Sequence, residues 1–92
     1  MHKYVIERKI PKIGLASRKE LREAAQQSRE ALEQLGTSIQ WVESFVTEDM
    51  TYCIYLAESE ELIHKHAEIS GFPADKVSRV RGIIDPTTAR VS

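Results

Sequence analysis

Three side chains of this sequence could take part in metal or acid–base chemistry: Glu43, Cys53 and His66. A thiolate and an imidazole are ligands that suit nickel, copper or zinc, and a carboxylate would add a harder oxygen donor. Cys53 lies in a β-rich run, where a small buried apolar role is the common alternative. His66 follows Leu62 by four residues on the apolar side of a predicted helix, where a hydrogen-bonded core histidine is the common alternative. Each residue therefore has a structural interpretation beside the functional one.

A second group of aromatic and charged side chains could bind a small organic ligand. Glu43 lies between Trp41 and Phe45 on one face of a predicted strand, and Arg79 and Arg81 share a face of the last strand. Charges on a half-covered sheet need partners, so an acid–arginine pair inside a cavity is one interpretation. Solvated edge positions are the other. The candidate ligand-binding residues are Trp41, Tyr55 and Arg81.

Composition and motifs exclude several classes of function. With 13 basic and 14 acidic residues the net charge is −1, so no strong field favours nucleic acid or an anionic membrane. The sequence has no glycine-rich phosphate loop, nucleophile elbow, HExxH motif or paired CxxC motif. Its single cysteine rules out an intrachain disulfide. The start of the chain lacks the apolar core of a signal peptide, which favours a cytoplasmic location.

The elements that must position these residues follow from periodicity and caps. Ser17 and Glu20 form a capping box before an apolar stripe that Gly36 ends, which predicts a first helix. Ser59 and Gly71 bound a second helix in the same way. Alternating or β-rich runs predict strands over 3–8, 39–47, 51–57 and 77–84, with a frayed tail over 87–92. The order predicts one α+β domain over 1–92, with the ferredoxin-like βαββαβ layout and a four-stranded antiparallel sheet.

The face of the sheet away from the helices is predicted to be apolar. Right-handed crossovers place both helices on one face of the sheet. The second and third strands of the chain carry apolar residues on both of their faces. We therefore expect a homodimer in which a second copy covers the open face and encloses a cavity.

The face that carries Cys53 depends on the register of the central hairpin. If Thr47 pairs with Thr51, Cys53 lies opposite Phe45 on the open face. If the loop has two residues, Cys53 pairs with Ser44 and faces the helices, where His66 lies. The sequence leaves both registers open.

Five segments resemble a family of small bacterial ferredoxin-like proteins of unknown function, described as nickel-binding-protein-like. The segments are KYVIER at 3–8, IQWVESFVT at 39–47, YCIY at 52–55, the stretch from His66 through GFPADKV at 71–77, and IIDPTTA at 83–89. The resemblance implies a dimer that binds nickel and has no iron–sulfur cluster, which fits a chain with one cysteine. The family's histidine and cysteine positions correspond to His66 and Cys53. Some relatives have histidine in place of Glu43, and glutamate there would weaken a preference for nickel.

These observations support three hypotheses of function. The leading one is a small metal-binding protein with Cys53, His66 and Glu43 as ligands and nickel as the first ion to test. The second is an enzyme of the dimeric α/β-barrel kind that acts on a small organic substrate in a sheet-face cavity. The third is an interaction or regulatory module. Whether any catalysis occurs stays open at this point.

Overall fold

Strands and helices follow one another in the order that the sequence predicts. The computed structural model describes residues 1–90. Its elements are β1 (His2–Lys9), α1 (Arg18–Leu35), β2 (Ile39–Val46), β3 (Met50–Ala57), α2 (Glu60–Ser70) and β4 (Lys76–Arg79), with short 3₁₀ turns at Ile13–Leu15, Gly36–Ser38 and Pro86–Ala89. The strands form one antiparallel sheet in the order β2-β3-β1-β4. The predicted ferredoxin-like α+β fold is confirmed.

The local signals of the first helix are present as predicted. Ser17 Oγ accepts a hydrogen bond from the Glu20 amide at 3.1 Å, and the Glu20 carboxylate accepts one from the Ser17 amide at 2.9 Å. These bonds satisfy two of the backbone amides that every helix start leaves free. The second helix differs, because its N-cap residue Ser59 makes no side-chain capping bond. Gly71 ends that helix with φ +81°, a conformation that favours glycine.

The last strand is shorter than predicted. It ends at Arg79, and the bond from the Val80 amide to the Lys3 carbonyl follows at 2.8 Å. Arg79 pairs with Tyr4 and β1 begins at His2, so the pairing cannot extend past Arg81, well short of the predicted end at residue 84. Arg81 lies after the end of the strand and is exposed. The predicted frayed tail contains the 3₁₀ turn at Pro86–Ala89, and residues 91–92 lie outside the described residues.

The two faces of the sheet differ in burial. The face under the helices carries Tyr4 and Ile6 of β1 and Tyr55 of β3, all almost fully buried, and Ile63 of α2 completes this core. The opposite face, here called the open face, carries half-exposed apolar side chains. They are Val5, Tyr52, Ile54 and Leu56, with the more exposed Phe45. No helix within residues 1–90 is long and apolar enough to cross a bilayer.

The central hairpin has the two-residue loop. The Thr47 amide donates to the Met50 carbonyl at 2.9 Å, and Cys53 pairs with Ser44. Cys53 therefore faces the helices. A β-bulge interrupts the register between Trp41 and Glu43, and its extra residue reverses the side-chain alternation. The expectation that these two residues share a face is therefore wrong, because Trp41 lies under the helices and Glu43 on the open face.

Candidate ligand-binding pocket

A pocket of about 410 Å³ lies between the first half of α1 and the sheet, and we call it the α1 pocket. It is lined by residues of α1, of the strands β1, β2 and β3, and of the segments that follow β1 and α2. Its main lining residues are Arg8, Ala24, Ala25, Ser28, Trp41 and Tyr55. Leu21, Val46, Cys53 and Phe72 also line it. Its size lies within the range of roughly 300–1,000 Å³ that is usual for small-molecule sites.

The pocket exists because α1 presents small side chains to the sheet. Ser28 follows Ala25 by three residues and Ala24 by four, so both alanines lie beside it on one side of the helix. Alanine and serine do not reach far enough to fill the space that leucine fills in an ordinary helix–sheet contact. Among the described residues of α1, only Ser28 and Ala31 are buried. The first half of the helix therefore stands over a gap.

Arg8 places a buried cation at this pocket. It is 3% exposed, and its Nη1 donates to the Pro73 carbonyl at 2.5 Å. Nη2 has no hydrogen-bond partner within the part of the chain that the structure describes, and no ion pair of Arg8 is found there either. A guanidinium is a permanent cation in proteins. The pocket therefore contains a charged donor that lacks a partner.

Ser28 connects the Tyr55 hydroxyl at the pocket to the buried His66 behind it. Its Oγ lies 3.3 Å from the Tyr55 hydroxyl and 3.1 Å from His66 Nε2, which also lies 3.3 Å from the Ser28 carbonyl oxygen. The His66 tautomer with a proton on Nε2 can donate to these oxygens, and it leaves no N–H unpaired. Burial raises the pKa of Tyr55, so the phenol stays protonated near neutral pH.

His66 is a neutral core residue in this arrangement. It is 1% exposed, and its Nδ1 has no partner among residues 1–90. Burial lowers the pKa of His66 below its usual 6.5, and the positive charge of Arg8 lowers it further, while the Ser28 carbonyl opposes both effects. His66 does not line the pocket, but it holds Ser28, which does.

We expect this burial to make stability depend on pH. The unfolded chain takes up a proton at His66 as the pH falls through about 6.5, whereas the folded chain does so only at a lower pH. The free energy of unfolding should therefore fall below pH 6.5, by at most about 1.4 kcal/mol per pH unit from this group. Urea denaturation at several pH values measures the slope.

The exposed His64 on the same helix provides a matched control for this pH dependence. His64→Gln should keep the fall in stability as the pH drops below about 6.5, and His66→Gln should lose it. Equal slopes in both variants would contradict the assignment. If His66→Gln does not fold, an NMR titration of the His66 ring in the unmodified chain measures the same lowered pKa directly.

Trp41 forms the sheet side of the pocket together with Tyr55. The two rings stack with their centroids 6.5 Å apart and their planes 18° apart. The indole N–H donates to Ser44 Oγ at 2.9 Å, which fixes the orientation of the ring. Trp41 is the only tryptophan of the chain, so its fluorescence reports on the pocket alone.

The structure separates the three predicted metal ligands. Cys53 is buried at the pocket, with its Sγ 3.6 Å from Thr51 Oγ1. His66 is buried behind Ser28, and Glu43 is exposed on the open face. No group of three or more His, Cys, Asp and Glu side chains within residues 1–90 is placed to hold a metal ion. The predicted ligands do not form one site within a single copy of the chain.

Two of the three predicted ligand-binding residues lie at the pocket, and the third does not. Trp41 and Tyr55 line the α1 pocket, although the pocket is on the helix side of the sheet and not on the open face. Arg81 lies outside it, exposed after β4. Sequence reasoning missed Arg8, although its alternation with Tyr4 and Ile6 places a cation on the buried side of β1. That pattern was the available signal.

Comparisons with known proteins identify the family of the chain. The sequence profile of the family described as nickel responsive protein SCO4226-like matches residues 4–80. The crystal structure of SCO4226 from Streptomyces coelicolor A3(2) superposes with a TM-score of 0.73 at 16% sequence identity, over 89% of this chain and 99% of that one. That likeness shows the shared fold. No curated protein matches the chain. The match over residues 4–80 shows that the chain belongs to the nickel responsive SCO4226-like family.

Proposed function

We propose that this chain is a small ligand-binding protein that holds an organic molecule in the α1 pocket. The observation that carries the proposal is an apolar pocket of about 410 Å³ at which Arg8, Ser28 and Tyr55 converge. Small-molecule sites combine an apolar lining with a few placed polar groups in this way. The position of Trp41 on the pocket wall makes the proposal easy to test.

Filling the pocket should weaken binding. A set of small organic molecules is screened by the change in Trp41 fluorescence, and each hit is then titrated against Ala25→Leu. We expect this variant to weaken binding by about tenfold or more, since the larger side chain takes up space at the pocket wall. Gln26→Leu places the same side chain on an exposed position of the same helix and should bind as the unmodified chain does. Equal ligand affinities of Ala25→Leu and Gln26→Leu would show that the ligand does not bind in the α1 pocket.

A nickel-related role is the second candidate, and the family description favours it. The donors of one copy do not fit a closed nickel site, since Cys53 and His66 lie under the helices and Glu43 lies on the other face. Calorimetry with Ni²⁺ on the unmodified chain and on Cys53→Ala tests the thiolate. We expect equal affinities, because no third donor lies near that sulfur among the described residues. A loss of affinity in the variant would restore Cys53 as a ligand.

We also propose that the open face binds a second copy of the chain. Its half-exposed apolar stripe, with Val5 and Ile54 at the centre, is contiguous across β1 and β3, and a contiguous apolar surface of this kind is typical of an interaction site. Lys3 and Glu7 lie at opposite ends of the same stripe on β1. A two-fold axis through the middle of β1 would bring each lysine near the glutamate of the other copy, which makes the face self-complementary.

Sedimentation at micromolar concentration tests the dimer. We expect the unmodified chain to sediment as a dimer and Ile54→Glu as a monomer, because a carboxylate would be buried at the interface. Ile83→Glu introduces the same charge at a 71% exposed position and should leave the dimer intact. A monomeric unmodified chain would remove the proposal.

A further inference from the structure

We propose that the ligand of the α1 pocket is a small organic monoanion, a carboxylic acid with an apolar body whose carboxylate pairs with Arg8. This inference rests on the proposed function and names the chemical class of its ligand. It depends on three features of the pocket: the unpartnered guanidinium, the single charge, and the shape and polarity of the walls.

The first feature is the unsatisfied charge of Arg8. Its side chain is 97% buried, and Nη2 has no partner within residues 1–90. Burying a cation without an anionic partner is costly, since the charge loses its hydration and no opposite charge compensates for that loss. The Pro73 carbonyl occupies Nη1 and so holds the guanidinium in place. Nη2 has almost no accessible surface, so a carboxylate that pairs with the guanidinium must displace the neighbouring wall slightly, and it then supplies the missing charge-assisted hydrogen bond.

The second feature is the number of charges. Arg8 is the buried cation at the pocket, and the other buried polar side chains that line it are neutral hydroxyls, those of Ser28, Thr51 and Tyr55. Lys9 also lines the pocket, but it is exposed and therefore hydrated. One buried positive charge balances one negative charge, which favours a carboxylate over a phosphate dianion. The Tyr55 hydroxyl also lines the pocket and adds a hydrogen-bonding group for the same anion.

The third feature is the nature of the walls. The helix side consists of the short side chains Ala24 and Ala25, and the sheet side carries the Trp41 ring. Phe72 and Leu21 add further apolar surface. Such walls fit an aromatic ring or a short alkyl chain, and they offer few partners for the hydroxyl groups of a sugar acid. The ligand is therefore amphipathic, with one charged end.

Acid–amide pairs test the charge requirement separately from binding itself. Phenylacetate and hexanoate, and the primary amide of each, are titrated at neutral pH while Trp41 fluorescence is followed. Each amide matches its acid in size and lacks only the charge. We expect the acids to bind at least about tenfold more tightly than the amides, as is usual for a hydrogen bond to a charged group.

Two variants then assign the preference to one side chain. Arg8→Gln should remove the preference for the acids, and Lys9→Gln, which deletes a neighbouring exposed charge, should keep it. If Arg8→Gln does not fold, the acid–amide ratios of the unmodified chain and of Lys9→Gln decide. A preference that Lys9→Gln abolishes would overturn the role of Arg8.

The outcomes separate this inference from the proposed function. Equal affinities for the acids and the amides would overturn the inference and leave the pocket as a binding site. A lack of saturable binding by all four compounds would overturn the inference, and a failure of the wider screen as well would also remove the proposed function.

Discussion

Replacing Ile6 with alanine is expected to lower the free energy of unfolding by about 2–5 kcal/mol. Ile6 is fully buried at the centre of β1, with β3 on one side and β4 on the other. The substitution removes apolar contact area and leaves a cavity in a region that two strands hold rigid. Such a loss is large, since domains are usually stable by only about 5–15 kcal/mol. Urea denaturation followed by circular dichroism measures it.

The control for this prediction uses the same substitution at an exposed position. Ile84 is 85% exposed, so Ile84→Ala should change the free energy of unfolding by no more than about 0.5 kcal/mol. Similar effects at the two positions would contradict the placement of the core beneath the helices.

Replacing Gly14 with alanine is the second large expected effect, at about 1–3 kcal/mol. A Cβ atom at Gly14 would lie 2.8 Å from the Thr47 carbonyl oxygen and 2.9 Å from the Glu48 Cα. Both contacts are with backbone atoms, which cannot rotate away as a side chain would. The Gly14 amide also donates to the Glu48 carbonyl at 2.9 Å, so the turn at Ile13–Leu15 is held against the central hairpin. The clash forces these two segments apart.

The Gly14 substitution should also affect the α1 pocket. Ile13 lines the pocket next to this contact, so a shift of the turn changes the pocket wall. Gly82→Ala is the matched control, because a Cβ there meets no atom within 4 Å and the backbone is not in the left-handed region. Equal thermal stability of the two variants would contradict the close approach at Gly14.

Much of the fold could be predicted because its signals are local. The capping box of Ser17 and Glu20, the helix-ending glycines Gly36 and Gly71, and the spacing of the apolar residues each depend on neighbouring residues alone. The sequence narrows the hairpin register to two alternatives but does not decide between them. The two registers differ by a shift of one residue, and the same turn residues are compatible with both. The greatest length that β4 could reach is set by where its partner β1 begins, which is not a property of its own sequence.

The candidate site was harder to predict, and one irregularity explains much of the difference. The β-bulge between Trp41 and Glu43 has no marker such as glycine, yet it sends the aromatic ring to the helix side and the carboxylate to the open face. The role of Arg8 also depends on tertiary structure. A lone arginine in an alternating strand is ordinary until the pocket beside it, and the lack of a partner for Nη2, are known.

A crystal structure of the chain grown with phenylacetate tests the central claim most directly. We expect the molecule in the α1 pocket, with its carboxylate within hydrogen-bonding distance of the Arg8 guanidinium and its ring between Ala25 and Trp41. An empty pocket at a saturating concentration of phenylacetate, or the molecule bound only on the open face, would contradict it.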